Sequence, residues 1–352
     1  MMKFLEKYFS KKLNSNDEKE IIAQGELLSQ IIVYLYLLEQ NMDVALIPAL
    51  KFMKMNEQRD PDLQFIRSKL KSEINKYPSC RLFITSGYIC KNHKNKLDNL
   101  GRGGSDYTAT IIGNVLNASK VEIWTDIDGL HNNDPRFVEK TQTIRHISYN
   151  EASELAFFGA KVLHPLSIKP VQDRNIPILI KNTMNPENQG TLISEYSLDK
   201  DIKAIAAKDG ITTIKLKSGR MMQAFGFLRR IFEVFEKYET SVDMLTTSEV
   251  SVSMTIENIS NLENIKRKLS QIGEVEIEPN QSIICIVGNF SKNSNTSIQK
   301  IIDSLEHIPI QMISFGSSKI NVSFVVDSDH KIETLNILNH YVLEEATCLT
   351  NN

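Results

Sequence analysis

Cysteine, tryptophan and net charge are all scarce in this chain of 352 residues. The four cysteines stand far apart, with no CxxC pair among them, at Cys80, Cys90, Cys285 and Cys348. This spacing excludes a compact zinc site and a small disulfide framework, and it predicts reduced thiols in a cytoplasmic protein. A formal net charge of −2 excludes a global field that attracts nucleic acid or an acidic membrane surface. We therefore expect no nucleic-acid partner.

Long apolar runs are also missing from the sequence. No stretch reaches the roughly 18 unbroken apolar residues that a membrane helix needs. The longest candidate, residues 27–50, is interrupted by Glu39, Asn41 and Asp43. The basic N-terminal segment has no apolar core of the kind that a signal peptide carries. We therefore expect no membrane partner.

The remaining pattern is that of a protein with two or three domains. Residues 21–40 are apolar almost all round and predict a buried helix. Helices and short apolar strands alternate up to about residue 194, which predicts an α/β layer structure with a mainly parallel sheet. From residue 202 onward, a strand–helix–strand–strand rhythm occurs twice, and SEVSVSMTI and SKINVSFVV match in type and position. This repeat predicts a duplicated ferredoxin-like module.

The most informative segment is LGRGGSDYTA, residues 100–109, directly before an apolar helical run. Its three glycines leave backbone N–H groups free to face an anion at a helix N-terminus. Arg102 supplies a planar fork for a carboxylate or phosphate, and Asp106 supplies a charge that orients an amine or a metal. The segment is also compatible with a glycine-rich turn that Ser105 or Asp106 caps.

Four other polar segments each have two interpretations, one as a binding site and one as an ordinary structural element. WTDIDGLHNNDPR (124–136) suits a nucleotide at the end of a strand, or is a surface loop. In FFGAKVLHP (157–165), Lys161 is suited to bind a phosphate, or is an ordinary surface lysine. AQGELL (23–28) offers a carboxylate to an amino group, or only to a helix dipole. SVDMLTTSE (241–249) offers polar groups to an amino acid, or is a polar hairpin.

Together and in this order, these segments resemble the aspartate kinases of the amino-acid kinase family. The resembling sequences are LGRGGSDYTA, EIWTDIDGLHNNDPR, ELAFFGAKVLHP and IKNTMNPENQGTLIS, followed by two segments similar to that family's tandem ACT domains. The similarity runs from about Gly25 to Val342. It implies a three-layer αβα amino-acid kinase fold over residues 1–197, incomplete at its N-terminus, then two ferredoxin-like βαββαβ ACT domains at 198–276 and 277–352.

The resemblance also implies three sets of site residues. The residues implied for the substrate L-aspartate are Glu26, Arg102, Ser105 and Asp106, of which Arg102 and Asp106 carry catalytic roles. The residues implied for ATP are Thr125, Asp126, His131, Arg136, Lys161 and Val162. The residues implied for an amino-acid effector are Met221, Phe227, Leu228, Val242, Asp243, Ser248 and Glu249. The family uses Mg²⁺ with ATP, and no protein residue is assigned to the metal.

The implied reaction is transfer of the γ-phosphoryl group of ATP to the side-chain carboxylate of L-aspartate, which gives 4-phospho-L-aspartate. It is the first step toward lysine, threonine and methionine. Lysine or threonine is the implied effector, and the ACT domains imply a homodimer or tetramer.

Three departures from the family pattern stand beside this resemblance. The sequence has no KFGGTS segment, whose lysine and backbone amides hold the phosphates in the family, so we expect an N-terminally truncated chain. This leaves a non-catalytic regulatory or assembly subunit, or an inactive fragment, as the alternative. His131 stands where the family more often has tyrosine, and Ala224 stands where such enzymes often have serine.

Overall fold

The computed structural model describes Tyr8 and a set of ranges that cover most of the chain. These ranges are 12–159, 163–196, 202–219, 225–290, 294–316 and 318–350. The helices within them are α1 (Ser15–Glu39), α2 (Leu63–Ile74), α3 (Gly104–Leu116), α4 (Tyr149–Phe157), α5 (Lys169–Gln172), α6 (Phe227–Lys237), α7 (Leu262–Leu269), α8 (Ser294–Ser304) and α9 (Lys331–Thr350).

Fourteen strands lie between these helices in the described part of the chain, singly or in groups of two or three. They are β1 (Val44–Leu46), β2 (Leu82–Ile84), β3 (Ile89–Lys91), β4 (Leu97–Asn99), β5 (Val121–Thr125), β6 (His146–Ser148), β7 (Ile178–Asn182), β8 (Thr191–Ser194), β9 (Ile202–Lys217), β10 (Leu245–Thr247), β11 (Ser251–Ile256), β12 (Glu274–Gly288), β13 (Ile310–Phe315) and β14 (Asn321–Asp327). The predicted α/β class is confirmed.

The chain divides into two compact units, and the first contains residues 1–128 and 162–197. In this unit β1 pairs with β2 in parallel, and β5 pairs with β7 in parallel. Helix α3 packs against β5, α2 and α5. The largest fully buried side chains around α3 include Phe52, Ile66 and Ile111. This core fixes the N-terminus of α3, and with it the glycine-rich loop.

Helix α1 begins at a capping box, in which Asn14 and Asp17 each accept a hydrogen bond from the other's backbone N–H. One side of α1 packs Ala23 into the core of the first unit. The prediction of a helix buried all round is wrong, because Ile32 and Leu35 remain 66% and 56% exposed.

Among the described residues, α1 is also long and apolar enough, by length and composition, to cross a membrane. Only 11% of its most apolar window is buried within the structure. The expectation that the protein has no membrane partner stays a prediction.

The second unit contains residues 129–161 and 198–352. Its sheet has six strands among the described residues, in the order β10-β11-β9-β12-β14-β13. Strands β9 and β12 are 16 and 15 residues long, and their pairing shifts register around Gln281. At one end of this pair β9 also pairs with β11, and at the other end β12 also pairs with β14. A separate apolar core lies at each end.

The predicted duplication is therefore confirmed, and both repeats share one sheet. The predicted boundary between residues 276 and 277 falls within β12. The boundaries of the three predicted domains stay predictions.

Residues 129–161 belong to the second unit because specific contacts hold them there. The side-chain amide of Asn133 donates to the carbonyl oxygen of Leu335 at 3.1 Å. The backbone N–H of Ile205 donates to the carbonyl oxygen of Asn132 at 2.8 Å. Val138 is buried in the same core as the second repeat. The polar segment that follows β5 is thus tied to the repeated modules.

Candidate functional site

A cavity of about 350 Å³ lies beside the glycine-rich loop in the first unit. Its lining residues come from α1, from the residue before β3 and from the loop that starts α3; they are Ile22, Glu26, Tyr88, Gly101, Arg102, Gly103, Gly104, Ser105 and Asp106. The structure therefore brings together all four residues that the sequence predicts for the substrate.

The N-terminus of α3 shapes one wall of the cavity. Gly103 precedes the helix in a left-handed conformation, with φ of 69°, and Asp106 lies in the first helical turn. A Cβ atom on Gly103 would stand 2.4 Å from the Cβ of His164, so only glycine fits there. The first N–H groups of a helix have no partner within it, and its dipole favours an anion at this end. Arg102 is exposed beside them, so this wall suits a carboxylate.

The surroundings of the cavity shift the pKa values of two side chains, Asp106 and His164. Burial raises the pKa of Asp106 above its ordinary value. Burial and the nearby positive charge of Arg102 lower the pKa of His164. A partly buried carboxylate with a raised pKa gains from a cationic partner, because the partner stabilises its charged form. An ammonium group is such a partner.

Tyr88 lines the cavity and was missed by the sequence analysis. Its φ of 66° lies in the left-handed region, which a bulky residue rarely adopts. Its backbone N–H donates to the Oγ1 of Thr108 at 3.1 Å, and its ring packs against Gly104. Strain of this kind concentrates at functional sites. The sequence carries no signal for it except the adjacent Gly87.

Two residues predicted for ATP, Thr125 and Asp126, lie at the end of β5 in the first unit. Thr125 is half-buried at the end of the strand, and its Oγ1 donates to the Oδ1 of Asp126 at 3.1 Å. Two residues on, Asp128 accepts from the side-chain amide of Asn182 at 2.7 Å. Since β5 and β7 are parallel, these carboxylates stand at the carboxyl ends of strands, where ligands bind in open α/β sheets.

Two other residues predicted for ATP belong to the second unit. His131 lies 2.9 Å from Thr141, measured between Nδ1 and Oγ1. Arg136 donates from Nε to the Oδ1 of Asp134 at 2.9 Å, and its guanidinium also bonds the second oxygen of Asp134. Burial acts to raise the pKa of Asp134, but the hydrogen bonds from Arg136 outweigh it and the pKa is lowered. Arg136 is thereby held in one orientation.

The last two residues predicted for ATP, Lys161 and Val162, lie outside the described residues. The chain just before them is described, because α4 ends at Phe157 and Gly159 follows with φ of 120°. A Cβ on Gly159 would stand 2.0 Å from the carbonyl oxygen of Ala207. The segment that leads to Lys161 therefore rests directly on the backbone of β9.

The residues predicted for the effector lie around α6, β10 and the loops beside them, except that Met221 is outside the described residues. Phe227 is only 4% exposed and packs in the core of the first repeat, whereas Leu228 is 37% exposed. Val242 packs against the same core. Asp243 accepts from the Nζ of Lys208 at 2.9 Å.

The hairpin that contains Ser248 and Glu249 presents polar groups to solvent. Both residues are exposed, and the Oγ atoms of Ser248 and Ser251 lie 2.7 Å apart. The described part of the chain holds no group of three or more histidine, cysteine, aspartate or glutamate side chains arranged to bind a metal ion.

Comparison with known proteins shows the family of the chain. The family model described as "Amino acid kinase family" matches residues 3–182, and a model described as "ACT domain" matches residues 284–341. "Lysine-sensitive aspartokinase 3" of Escherichia coli is 30% identical over 92% of this chain and 75% of its own length. "Aspartokinase 2, chloroplastic" of Arabidopsis thaliana is 35% identical over 74% of this chain and 51% of its own length.

Solved structures show the same relationship. E. coli aspartokinase III in complex with aspartate and ADP has a TM-score of 0.86 at 30% identity, covering 97% of this chain and 79% of that one. The same enzyme in complex with lysine and aspartate has a TM-score of 0.77 and covers 94% and 76%. The expected amino-acid kinase fold with ACT domains is confirmed. The chain spans about half the length of the chloroplast relatives and about three quarters of the bacterial one.

Proposed function

Because the chain belongs to the aspartokinases, a phosphotransferase family with ACT regulatory domains, we propose that it phosphorylates L-aspartate with ATP, giving 4-phospho-L-aspartate and ADP. One observation carries the proposal. Glu26, Arg102, Ser105 and Asp106 line one cavity at the N-terminus of a helix. The cation and the hydroxyl group suit the carboxylates of an acidic amino acid, and the two carboxylates suit its ammonium group.

The roles of these residues follow from their charges. The Arg102 guanidinium binds a carboxylate of aspartate through two parallel hydrogen bonds, which fixes the direction of the substrate. Glu26 and Asp106 bind its ammonium group, and Ser105 donates to a carboxylate oxygen. The other carboxylate of the substrate is itself the nucleophile, so the protein contributes position and charge stabilisation rather than a covalent intermediate.

A second set of residues is proposed for the nucleotide. We assign Thr125, Asp126 and His131 to the nucleoside side of ATP, and Arg136, Lys161 and Val162 to its phosphate side. Mg²⁺ is usually bound by one or two carboxylates together with substrate phosphates. Asp128 fits this pattern, since it stands just past the end of β5. When bound, the ion neutralises charge on the phosphates.

The second unit is the proposed sensor. We assign Met221, Phe227, Leu228, Val242, Asp243, Ser248 and Glu249 to an amino-acid effector, lysine or threonine. We also propose that the repeated modules join a homodimer or tetramer, which light scattering tests. The described cysteines Cys80, Cys90 and Cys285 are free, which supports a cytoplasmic location.

The decisive experiment traps the acyl phosphate with hydroxylamine. Purified protein with aspartate, ATP and Mg²⁺ should yield aspartyl hydroxamate, and Arg102→Ala should reduce kcat/KM at least 100-fold, since it removes a charged two-point contact. Arg267→Ala is the matched control, because Arg267 lies on α7 and bonds only Asn264 among the described residues. Hydroxamate formation that Arg102→Ala leaves unchanged would refute the substrate assignment.

A second candidate is a regulatory or assembly subunit without catalysis. Among the described residues, none of those that line the cavity belongs to the sheet of the second unit, so an amino acid could bind that unit without turnover. Absence of hydroxamate together with calorimetric binding of lysine or threonine would select this candidate.

A further inference from the structure

Lys208 on β9 lies at the junction of three groups in the second unit. Its Nζ donates to the Oδ1 of Asp243 at 2.9 Å and lies 3.1 Å from the Oε2 of Glu257. The same Nζ lies 5.0 Å from the centre of the Phe157 ring, within the range of a cation–π contact. The Lys208 side chain is 15% exposed and that of Asp243 is 5% exposed, whereas Glu257 is 62% exposed. Lys208 thus joins a buried carboxylate to an aromatic ring at the end of α4.

Asp243 has capacity for a second cation. Its Oδ2 is buried and has no hydrogen-bond partner among the described residues, although its Oδ1 holds Lys208. A buried carboxylate oxygen without a partner is costly, because a carboxylate loses its water on burial. An ammonium group from outside would restore that interaction. Asp243 is also one of the residues that we assign to the effector.

Phe157, whose ring contacts Lys208, lies four residues before Lys161 in the sequence. Phe157 ends α4 and stacks edge to face on Phe158, with ring centres 4.9 Å apart. Gly159 then rests on the carbonyl oxygen of Ala207, the residue before Lys208. Lys161, which we assign to the phosphates of ATP, follows two residues later. The position of the Lys208 side chain therefore bears on the described turn at Phe157–Gly159, which precedes Lys161 in the sequence.

We propose that Lys208 is a positioning residue that couples an ammonium group bound at Asp243 to the Phe157–Gly159 turn, and so to nucleotide binding. The inference rests on the proposed function, because it concerns regulation of that site. A second ammonium at Asp243 repels Lys208 and shares its carboxylate. Lys208 then shifts toward the exposed Glu257 and away from the ring of Phe157. The turn loses its cation contact, and the affinity for nucleotide falls.

The charge state of Lys208 is compatible with this role. Burial acts to lower its pKa, but the hydrogen bonds and charges of Asp243 and Glu257 outweigh burial and raise the pKa. Lys208 is therefore a cation throughout the neutral range. The proposed movement of Lys208 therefore results from competition with the bound ammonium group for Asp243, and not from loss of a proton.

The test measures the coupling between two ligands and needs no turnover. Calorimetry gives the Kd of ADP with and without saturating L-lysine, and again with L-threonine, for the full chain. In the unchanged protein, one of these amino acids should weaken ADP binding by at least about 5-fold, the lower end of ordinary allosteric coupling. Lys208→Met should reduce this factor below about 2-fold while the amino acid binds equally well or more tightly. Lys208→Arg, which keeps the charge, should retain the coupling.

A second variant acts at the other end of the junction. Phe157→Leu removes the ring but leaves the pair of Lys208 and Asp243 intact, and Phe157 is 45% exposed, so folding is preserved. It should abolish the coupling without changing the Kd of the amino acid. Lys215→Met is the matched control, since Lys215 lies on the same strand and pairs with Glu278 at 2.7 Å. That variant should couple normally.

Three outcomes would overturn the inference. The first is normal coupling in both Lys208→Met and Phe157→Leu. The second is a parallel loss of amino-acid binding and coupling in both variants, which would make Lys208 part of the binding site only. The third is an unchanged protein that binds neither amino acid or shows no coupling. Failure of the hydroxamate assay with intact coupling would instead refute the proposed catalysis alone.

Discussion

Gly103, which lines the cavity beside the start of α3, is in direct contact with His164. A Cβ on Gly103 would stand 2.4 Å from the Cβ of His164, closer than real Cβ atoms approach one another. Gly103 also has φ of 69°, which costs other residues about 1–2 kcal/mol. Gly103→Ala should therefore destabilise the protein by more than about 2 kcal/mol. Urea denaturation followed by circular dichroism measures this loss.

The same loop supplies the control for that prediction. Gly101 has φ of 74°, but a Cβ there would meet nothing within 4 Å. Gly101→Ala should lose only the backbone component, about 1–2 kcal/mol. Equal losses in the two variants would show that His164 does not restrict the loop.

Glu26 is expected to hold the ammonium group of aspartate. It is half-buried on α1 and lines the cavity with Arg102. Glu26→Gln keeps the shape and removes the charge, and a hydrogen bond to a charged group contributes about 1.5–3 kcal/mol. The KM for aspartate should rise about 10- to 100-fold, with a smaller change in the KM for ATP, as steady-state kinetics will show. Glu18→Gln, at an exposed position on the same helix, should change neither constant.

The glycine-rich loop and the helix after it could be predicted from local sequence signals. Glycines before an apolar run predict a helix N-terminus, and α3 begins at Gly104 with Asp106 in its first turn. The burial of α1 could not be predicted in this way. Apolar residues all round a helix indicate the capacity for burial but not which neighbours exist, and Ile32 and Leu35 remain exposed.

Long-range pairing explains most of what the sequence did not predict. The contact of Asn133 with Leu335 joins residues 202 positions apart, so no local pattern predicts that residues 129–161 belong to the second unit. Sharing of β9 and β12 by both repeats likewise depends on strand register. The left-handed Tyr88 could not be predicted either, because its conformation depends on packing against Gly104.

The raised pKa of Asp106 predicts a trade between stability and function. Burial raises this pKa, so the group favours the folded state below its unfolded pKa of about 3.9 and loses that advantage as the pH rises through the folded value. The charged form therefore opposes folding at neutral pH. Asp106→Asn should raise the Tm at pH 7, leave it nearly unchanged at pH 3, and reduce kcat/KM at least about 100-fold.

Calorimetric scans at the two pH values test the stability half of this prediction. Asp303→Asn, at an exposed position on α8, is the comparison and should shift the Tm little at either pH. A lower Tm for Asp106→Asn at pH 7 would mean that the carboxylate stabilises the protein without ligand, contrary to its burial.

Arg136, which we assign to the phosphates of ATP, contacts Asp134 through both Nε and a terminal nitrogen. Its guanidinium also lies 5.5 Å from the ring centre of Phe137, so its plane is fixed from two sides. Lysine retains the charge but not the fork. We expect Arg136→Lys to raise the KM for ATP about 10-fold and Arg136→Ala about 100-fold, with the KM for aspartate unchanged, because one charged contact contributes about 1.5–3 kcal/mol. If Arg136→Ala raised the KM for aspartate instead, the residue would belong with the amino-acid substrate, and the segment after β5 would not be the phosphate side of the site.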